Sequence, residues 1–193
     1  IDFLVFDTTN AVTYSASAIK LLRILDEYSK LGWDVPKIVF MTNSSSGETI
    51  NKIYKDIYKK FPEYSHLWFN WDGKPLIIGN RFDADLDSEA KEFFRIKLNQ
   101  WPNEPRKDDG FPWMEFDRLY TEDAVYGLDG RKEVVSVSIA QHSDTCTFSY
   151  TAWYGANDRT RSWHDGANDT AEDAYLYGYN FAEQFEWAIE QDP

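Results

Sequence analysis

At 193 residues the chain is long enough to bury roughly 70% of the surface it would expose unfolded, so one domain with a sizeable core is the default. Its net charge of −13, from 33 acidic against 20 basic residues, repels phosphate backbones and argues against nucleic acid as a partner. Cys146 is the single cysteine, which excludes an internal disulfide and a cysteine metal cluster, and no run of about 18 apolar residues is available to span a membrane.

In chain order, Ile1 to Phe6 is a near-continuous apolar run broken by Asp2 and followed by Asp7, Thr8, Thr9 and Asn10. That is the pattern of a parallel strand buried on both faces where it meets its loop. From about Ser17 to Leu31, Ala18, Leu21, Leu22, Leu25 and Tyr28 fall at helical spacing, with Ser15 or Ser17 as N-cap and Gly32 just beyond the end. A second strand is expected over Lys37 to Met41. After the polar loop Asn43 to Ser46, Ile50, Ile53, Tyr54, Ile57, Tyr58 and Phe61 repeat at i, i+3, i+4, i+7, which predicts an amphipathic helix with a lysine-rich outer face.

Leu67 to Trp71 and Lys74 to Ile78 are two extended runs joined by Asp72 and Gly73, a strong hairpin dipeptide, with Pro75 tolerated only near the start of its run. Asp87 is placed to cap a short helix over Ser88 to Phe93, and a strand is expected over Phe94 to Leu98. Asn99 to Gly130 is rich in Pro, Gly and charge and reads as a long ordered excursion anchored by Trp101, Phe111, Trp113, Met114 and Phe116. Val134 to Ala140 predicts a further strand ending at Gln141 and His142. A long loop follows to about Asp173, and a last helix covers Tyr179 to Gln191 with Phe181, Phe185 and Ile189 on one face.

Strands therefore alternate with helices or long loops, which implies α/β architecture with a parallel sheet. Polar residues follow each expected strand: Asp7 and Asn10, Thr42 and Asn43, Asn80 and Arg81, Asn99 and Gln100, Gln141 and His142. In parallel α/β folds ligands bind at the C-terminal ends of the strands, so these residues are expected to share one face.

Taken together and in order, the segments IDFLVFDTTN, GWDVPKIVFMTN, HLWFNWDGKPLIIGN, FFRIKLNQWPNEP, VVSVSIAQHS and GYNFAEQFEWAI resemble the strands and loops of glycoside hydrolase families 71 and 99. The resemblance implies a (β/α)8 TIM-barrel-like fold. A complete barrel needs about 250 residues, so this chain is expected to be an incomplete segment holding about the second to sixth strands. Standing alone, such a segment is expected to aggregate or pair through its strand edges. The resemblance implies a secreted or otherwise extracytoplasmic glycoside hydrolase acting on an oligo- or polysaccharide, with part of the catalytic acid set outside these residues. The alternative is a non-catalytic carbohydrate-binding or surface protein on the same scaffold.

Glycosidic hydrolysis uses two carboxyl groups, one protonating the leaving oxygen and one acting as nucleophile or base. Asp7 is the acid at a clear strand terminus and is the catalytic candidate; its alternative role is to cap the loop. Asn10, Asn43, Gln141 and His142 are candidates for hydrogen bonds to sugar hydroxyls. Trp71, Trp101 and Trp153 are candidate stacking platforms in a chain with 17% aromatic residues and 8 Trp, a composition that equally suits a large aromatic core. No metal or cofactor is expected. Asp83, Asp85 and Asp87 open like a calcium loop, but Ser88 and Phe94 stand where Gly and Glu belong, which leaves a solvated acidic loop with a helix cap. His66, His142 and His164 are too scattered for a helical zinc motif. The run VFDTT also resembles the start of haloacid dehalogenase-like phosphatases, without a later phosphate cradle to support it.

Overall fold

The computed structural model describes residues 1–115, 118, 120–137, 163–171 and 173–193. It is a mixed α/β structure in two compact units, Ile1–Asn99 and Gln100–Pro193.

The first unit is built on parallel strands β1 (Phe3–Thr8), β2 (Lys37–Thr42), β4 (Lys74–Ile78) and β5 (Arg95–Gln100), in the order β1-β2-β4-β5. Their register aligns Phe6 with Phe40, Phe40 with Ile77 and Ile77 with Ile96. These side chains share the sheet face that is covered by α1 (Ser15–Lys30) and α2 (Ser46–Ile53). Ala18, Leu22 and Leu25 of α1 and Ile50 and Ile53 of α2 complete that core, the inward positions of the 3.6-residue period. On the opposite face Val39, Met41, Leu76, Ile78 and Lys97 are buried as well, so β2 and β4 are covered on both sides as their unbroken apolar runs require. β1 differs from its expectation. Leu4 and Val5 are 37% and 43% exposed, because β1 ends the strand order and has a neighbour on one side.

Helix α2 passes directly into a π-helical turn over Tyr54–Tyr58, where the Lys59 amide donates to the Tyr54 carbonyl. The wider turn points Tyr54, Ile57 and Tyr58 inward together. Tyr58 meets Trp68 at 4.6 Å and Phe94 at 4.9 Å between ring centroids, and Phe93 meets Phe94 edge-on at 4.9 Å. Much of the aromatic content of this unit is thus core, in tilted and edge-to-face arrangements of the kind ring quadrupoles favour.

Two capping expectations are revised. Tyr14, in the left-handed region, precedes α1 without a side-chain cap, while the Ser15 hydroxyl meets that of Thr13 at 2.8 Å. Asp87 does occupy the cap position of α3 (Ser88–Phe93), but its carboxylate pairs with Lys55 at 2.7 Å. The capping carboxylate is Asp83, which accepts the Gly47 amide of α2 at 3.0 Å. Asn51 binds the same loop by donating to the Asp85 carbonyl and accepting the Asp87 amide, so the acidic loop is clamped to α2.

Asp72 and Gly73, with φ of 52° and 77°, close the expected hairpin between β3 (Asn70–Trp71) and β4. The approach to β3 wedges between β2 and β4 near their N-terminal ends: the Phe69 amide donates to the Ile38 carbonyl and the Phe69 carbonyl accepts the Leu76 amide.

The second unit carries only short strands among its described residues: β6 (Gly110–Pro112), the antiparallel pair β7 (Val125–Tyr126) and β8 (Val134–Val135), and the hairpin of β9 (Trp163–His164) and β10 (Ala167–Asn168). The strand expected over Val134 to Ala140 is two residues long in its described part and antiparallel. Buried polar groups order the Pro-rich excursion. Gln100 donates to the carbonyls of Trp101, Glu104 and Pro105 and accepts the Lys107 amide. Glu115, fully buried, is gripped by Arg118 at 2.6 and 2.9 Å and by the Tyr126 hydroxyl at 2.7 Å. Of the expected anchors Met114 is buried, Trp113 is half exposed and Phe116 lies outside the described residues. Helix α4 (Tyr179–Glu190) forms where expected, yet Phe181, Phe185 and Ile189 face outward and the buried side chains are Asn180 and Gln184, bonded to each other at 2.9 Å.

Candidate functional site

The C-terminal ends of β1, β2 and β4 lie side by side, so the loops that leave them meet along one edge of the first unit, with Asn99 of β5 beside them. Three buried or half-buried hydroxyls tie that edge together. Thr8 donates to the Met41 carbonyl at 2.7 Å. Thr42 donates to the Ile78 carbonyl at 3.1 Å and lies 2.7 Å from the Ser46 hydroxyl, which accepts the Asn80 amide at 2.8 Å. Gly79 is required between them, since a Cβ there would overlap the Thr42 hydroxyl and sit 2.8 Å from that of Ser46. The Ser44 amide donates to the Thr9 carbonyl at 2.9 Å and joins the first two loops.

On this scaffold Asp7 is exposed, and one of its oxygens accepts both the Thr9 hydroxyl at 2.6 Å and the Thr9 amide at 3.0 Å. Those two donors, the hydroxyl first, hold its carboxyl below the usual aspartate range against a small opposing effect of burial. Asp7 therefore carries its charge at neutral pH. It suits accepting hydroxyl protons, or a nucleophile's or base's part, rather than donating a proton. Asn43 is exposed on the next loop, and its side-chain oxygen accepts the Asn99 amide at 2.8 Å. Asn10 serves its own loop, accepting the Val12 amide and donating to the Tyr14 hydroxyl.

The structure adds Lys97 and sets it in register with the residues already expected here. Asp7 aligns with Met41, Met41 with Ile78 and Ile78 with Lys97, which puts Asp7 and Lys97 in one row of one sheet face, with Asn99 one pleat beyond. Lys97 is fully buried, its ammonium 5.2 Å from the centre of the Trp71 ring. The signal was present in Arg95, Lys97 and Asn99, which alternate with Ile96 and Leu98 and mark a polar strand face.

Trp71 pairs with Lys74 at the start of β4, the end away from these loops, where its ring supports Lys97. Trp101 lies in the second unit, half-buried and edge-on to Trp113 at 5.3 Å. Gln141, His142 and Trp153 lie outside the described residues. Among the described residues no three His, Cys, Asp or Glu side chains converge to hold a metal ion, and no helix is long and apolar enough to cross a membrane. No family model, curated protein or solved structure matches the chain.

Proposed function

We propose that the chain is a segment of a (β/α)-barrel protein, similar to glycoside hydrolase families 71 and 99, that holds an oligo- or polysaccharide along the C-terminal edge of its parallel strands. The observation that carries this reading is the grouping on one edge of a charged carboxylate, Asp7, with the Asn43–Asn99 amide pair. Carboxylates and primary amides can each bind neighbouring sugar hydroxyls. The strand order also supports the barrel: β1, β2, β4 and β5 follow the chain without reversal, as in barrels, whereas doubly wound sheets reverse at a switch point. An extracytoplasmic setting goes with the glycoside hydrolase resemblance.

Hydrolysis is the leading activity, with Asp7 as nucleophile, base or electrostatic stabiliser because its carboxyl is held ionised. Carbohydrate binding without hydrolysis is the second reading, favoured by the occupation of both Asp83 oxygens, on the loop after β4, by the Gly47 and Asp85 amides.

The test is a panel of neutral oligosaccharides, scored for binding by calorimetry and for release of reducing ends in the same samples. Asp7→Asn is expected to weaken binding roughly tenfold or more, the effect of losing hydrogen bonds to a charged acceptor. Binding that needs the Asp7 carboxylate is retained at neutral pH and fades as pH falls through the lowered value of that group. Release abolished in Asp7→Asn supports the hydrolase; binding without release supports the second reading. Absence of binding across the panel overturns both.

A further inference from the structure

Helix α4 in the second unit is packed with its polar side inward. Its buried positions are Asn180 and Gln184, and Trp187 on the same side meets Tyr120 at 5.6 Å between ring centroids. Phe181, Phe185 and Ile189, spaced at i, i+4 and i+8, run along the opposite side and are 38%, 45% and 71% exposed. The Phe181 and Phe185 rings meet edge-on at 4.5 Å, and the three side chains form a stripe about 12 Å long. Leu176 and Tyr177, also exposed, stand on the turn that leads into the helix. Apolar burial alone would favour the opposite orientation of α4. An outward apolar stripe with a polar rim is the pattern of a contact surface.

The charge around the stripe selects its occupant. From Ser162 to Pro193 the sequence holds eight acidic residues and no lysine or arginine. Glu186 and Glu190 are exposed on α4 and Asp192 just past its end, and none of the three has a cationic partner among the described residues. Arg106, Arg131 and Lys132 share a concavity with Gln191, which stands about 120° around the helix from Phe185, so the rim of the stripe stays acidic. A second copy of the chain would set these carboxylates against their own counterparts, and an anionic lipid surface is repelled for the same reason. Lysines or arginines beside apolar anchors meet both features of the surface at once, and a helix carrying them matches the stripe in length and shape.

We propose that the outward stripe of α4 is a docking surface for a basic amphipathic helix of a partner protein. The surface is independent of the glycan reading and stands if that reading fails.

Titrate the 193-residue protein with a synthetic helical peptide that carries Leu at i, i+3, i+4 and i+7 and Lys elsewhere, following amide chemical shifts. The controls are a peptide of the same composition in scrambled order and one with Glu in place of Lys. Saturating shifts confined to residues 176–193 are expected with the ordered Lys peptide and with neither control. Phe185→Ser and Ile189→Ser, both neutral changes at outward positions, are expected to weaken that binding about tenfold or more without lowering the melting temperature. Glu186→Lys is expected to weaken it about threefold, and added salt to weaken it further. No saturating shifts, equal binding of the scrambled peptide, or unchanged affinity in both serine variants would overturn the proposal. A dimer of the protein alone that Phe185→Ser dissolves would give the stripe to a second copy, and binding to phosphatidylglycerol vesicles that Phe185→Ser abolishes would give it to a lipid surface; either result also overturns it.

Discussion

The two units reach order by different means. Residues 1–99 alternate strand and helix, and their order comes from apolar side chains on both sheet faces and a cluster of rings around Tyr58. Residues 100–193 have strands of two or three residues among those described, and their order comes from buried polar groups that grip backbone carbonyls: Gln100 on the loop after β5, and Glu115 with Arg118 and Tyr126. Arg118 also reaches the carbonyls of Trp101, Pro102 and Glu104. Apolar packing tolerates exchange between side chains of similar volume, whereas a polar network demands each partner, so the two units should respond differently to single substitutions.

The largest expected effect is in the first unit. Phe40→Ala removes a buried ring from the centre of the core and is expected to cost about 4 kcal/mol, measured by urea denaturation, with faster amide exchange concentrated in residues 1–99. Glu115→Ala is the counterpart in the second unit. It strands the Arg118 guanidinium and the Tyr126 hydroxyl, and since the Arg118 side chain keeps 16% exposure, the lower end of the range for a broken buried pair applies, about 3 kcal/mol. Its exchange should quicken in residues 100–193. Glu115→Gln, which keeps an acceptor, should recover part of the loss; equal loss in Gln and Ala would mean that charge, not hydrogen bonding, orders the loop.

The smallest effect sharpens the contrast from the other side. The Tyr58 hydroxyl is buried with no hydrogen-bond partner among the described residues, so Tyr58→Phe should leave stability at neutral pH unchanged or raise it by up to about 1 kcal/mol. Burial pushes the Tyr58 phenol well above the usual tyrosine range. Above about pH 10 the unfolded chain therefore loses this proton while the folded one keeps it, and stability falls as pH rises. Tyr58→Phe should make that alkaline decline shallower. A variant less stable than the parent at pH 7 would show that the hydroxyl does find a partner in solution.

Much of the first unit was legible in the sequence. The 3.6-residue period of Ala18, Leu22 and Leu25 and the unbroken run of Lys37 to Met41 state their own burial, and the Asp72–Gly73 turn states its own geometry. The site was legible in part: Asp7, Asn43 and Asn99 follow or end parallel strands of the first unit, and parallel strands must all end on the same side. Other features depended on distant neighbours. Asp83 rather than Asp87 caps a helix because the loop folds back on α2, and Phe181, Phe185 and Ile189 have the spacing of a core stripe yet face outward while Asn180 and Gln184 are buried.

The sequence by itself determined which residues become strand or helix in the first unit, since periodicity and turn chemistry act over a few residues. Tertiary structure alone decided that Lys97 is buried over Trp71 and that Glu115 is the centre of a buried network. Each of these is a contact between side chains from different elements, and its free energy depends on the distance and solvent exclusion that only the folded chain sets.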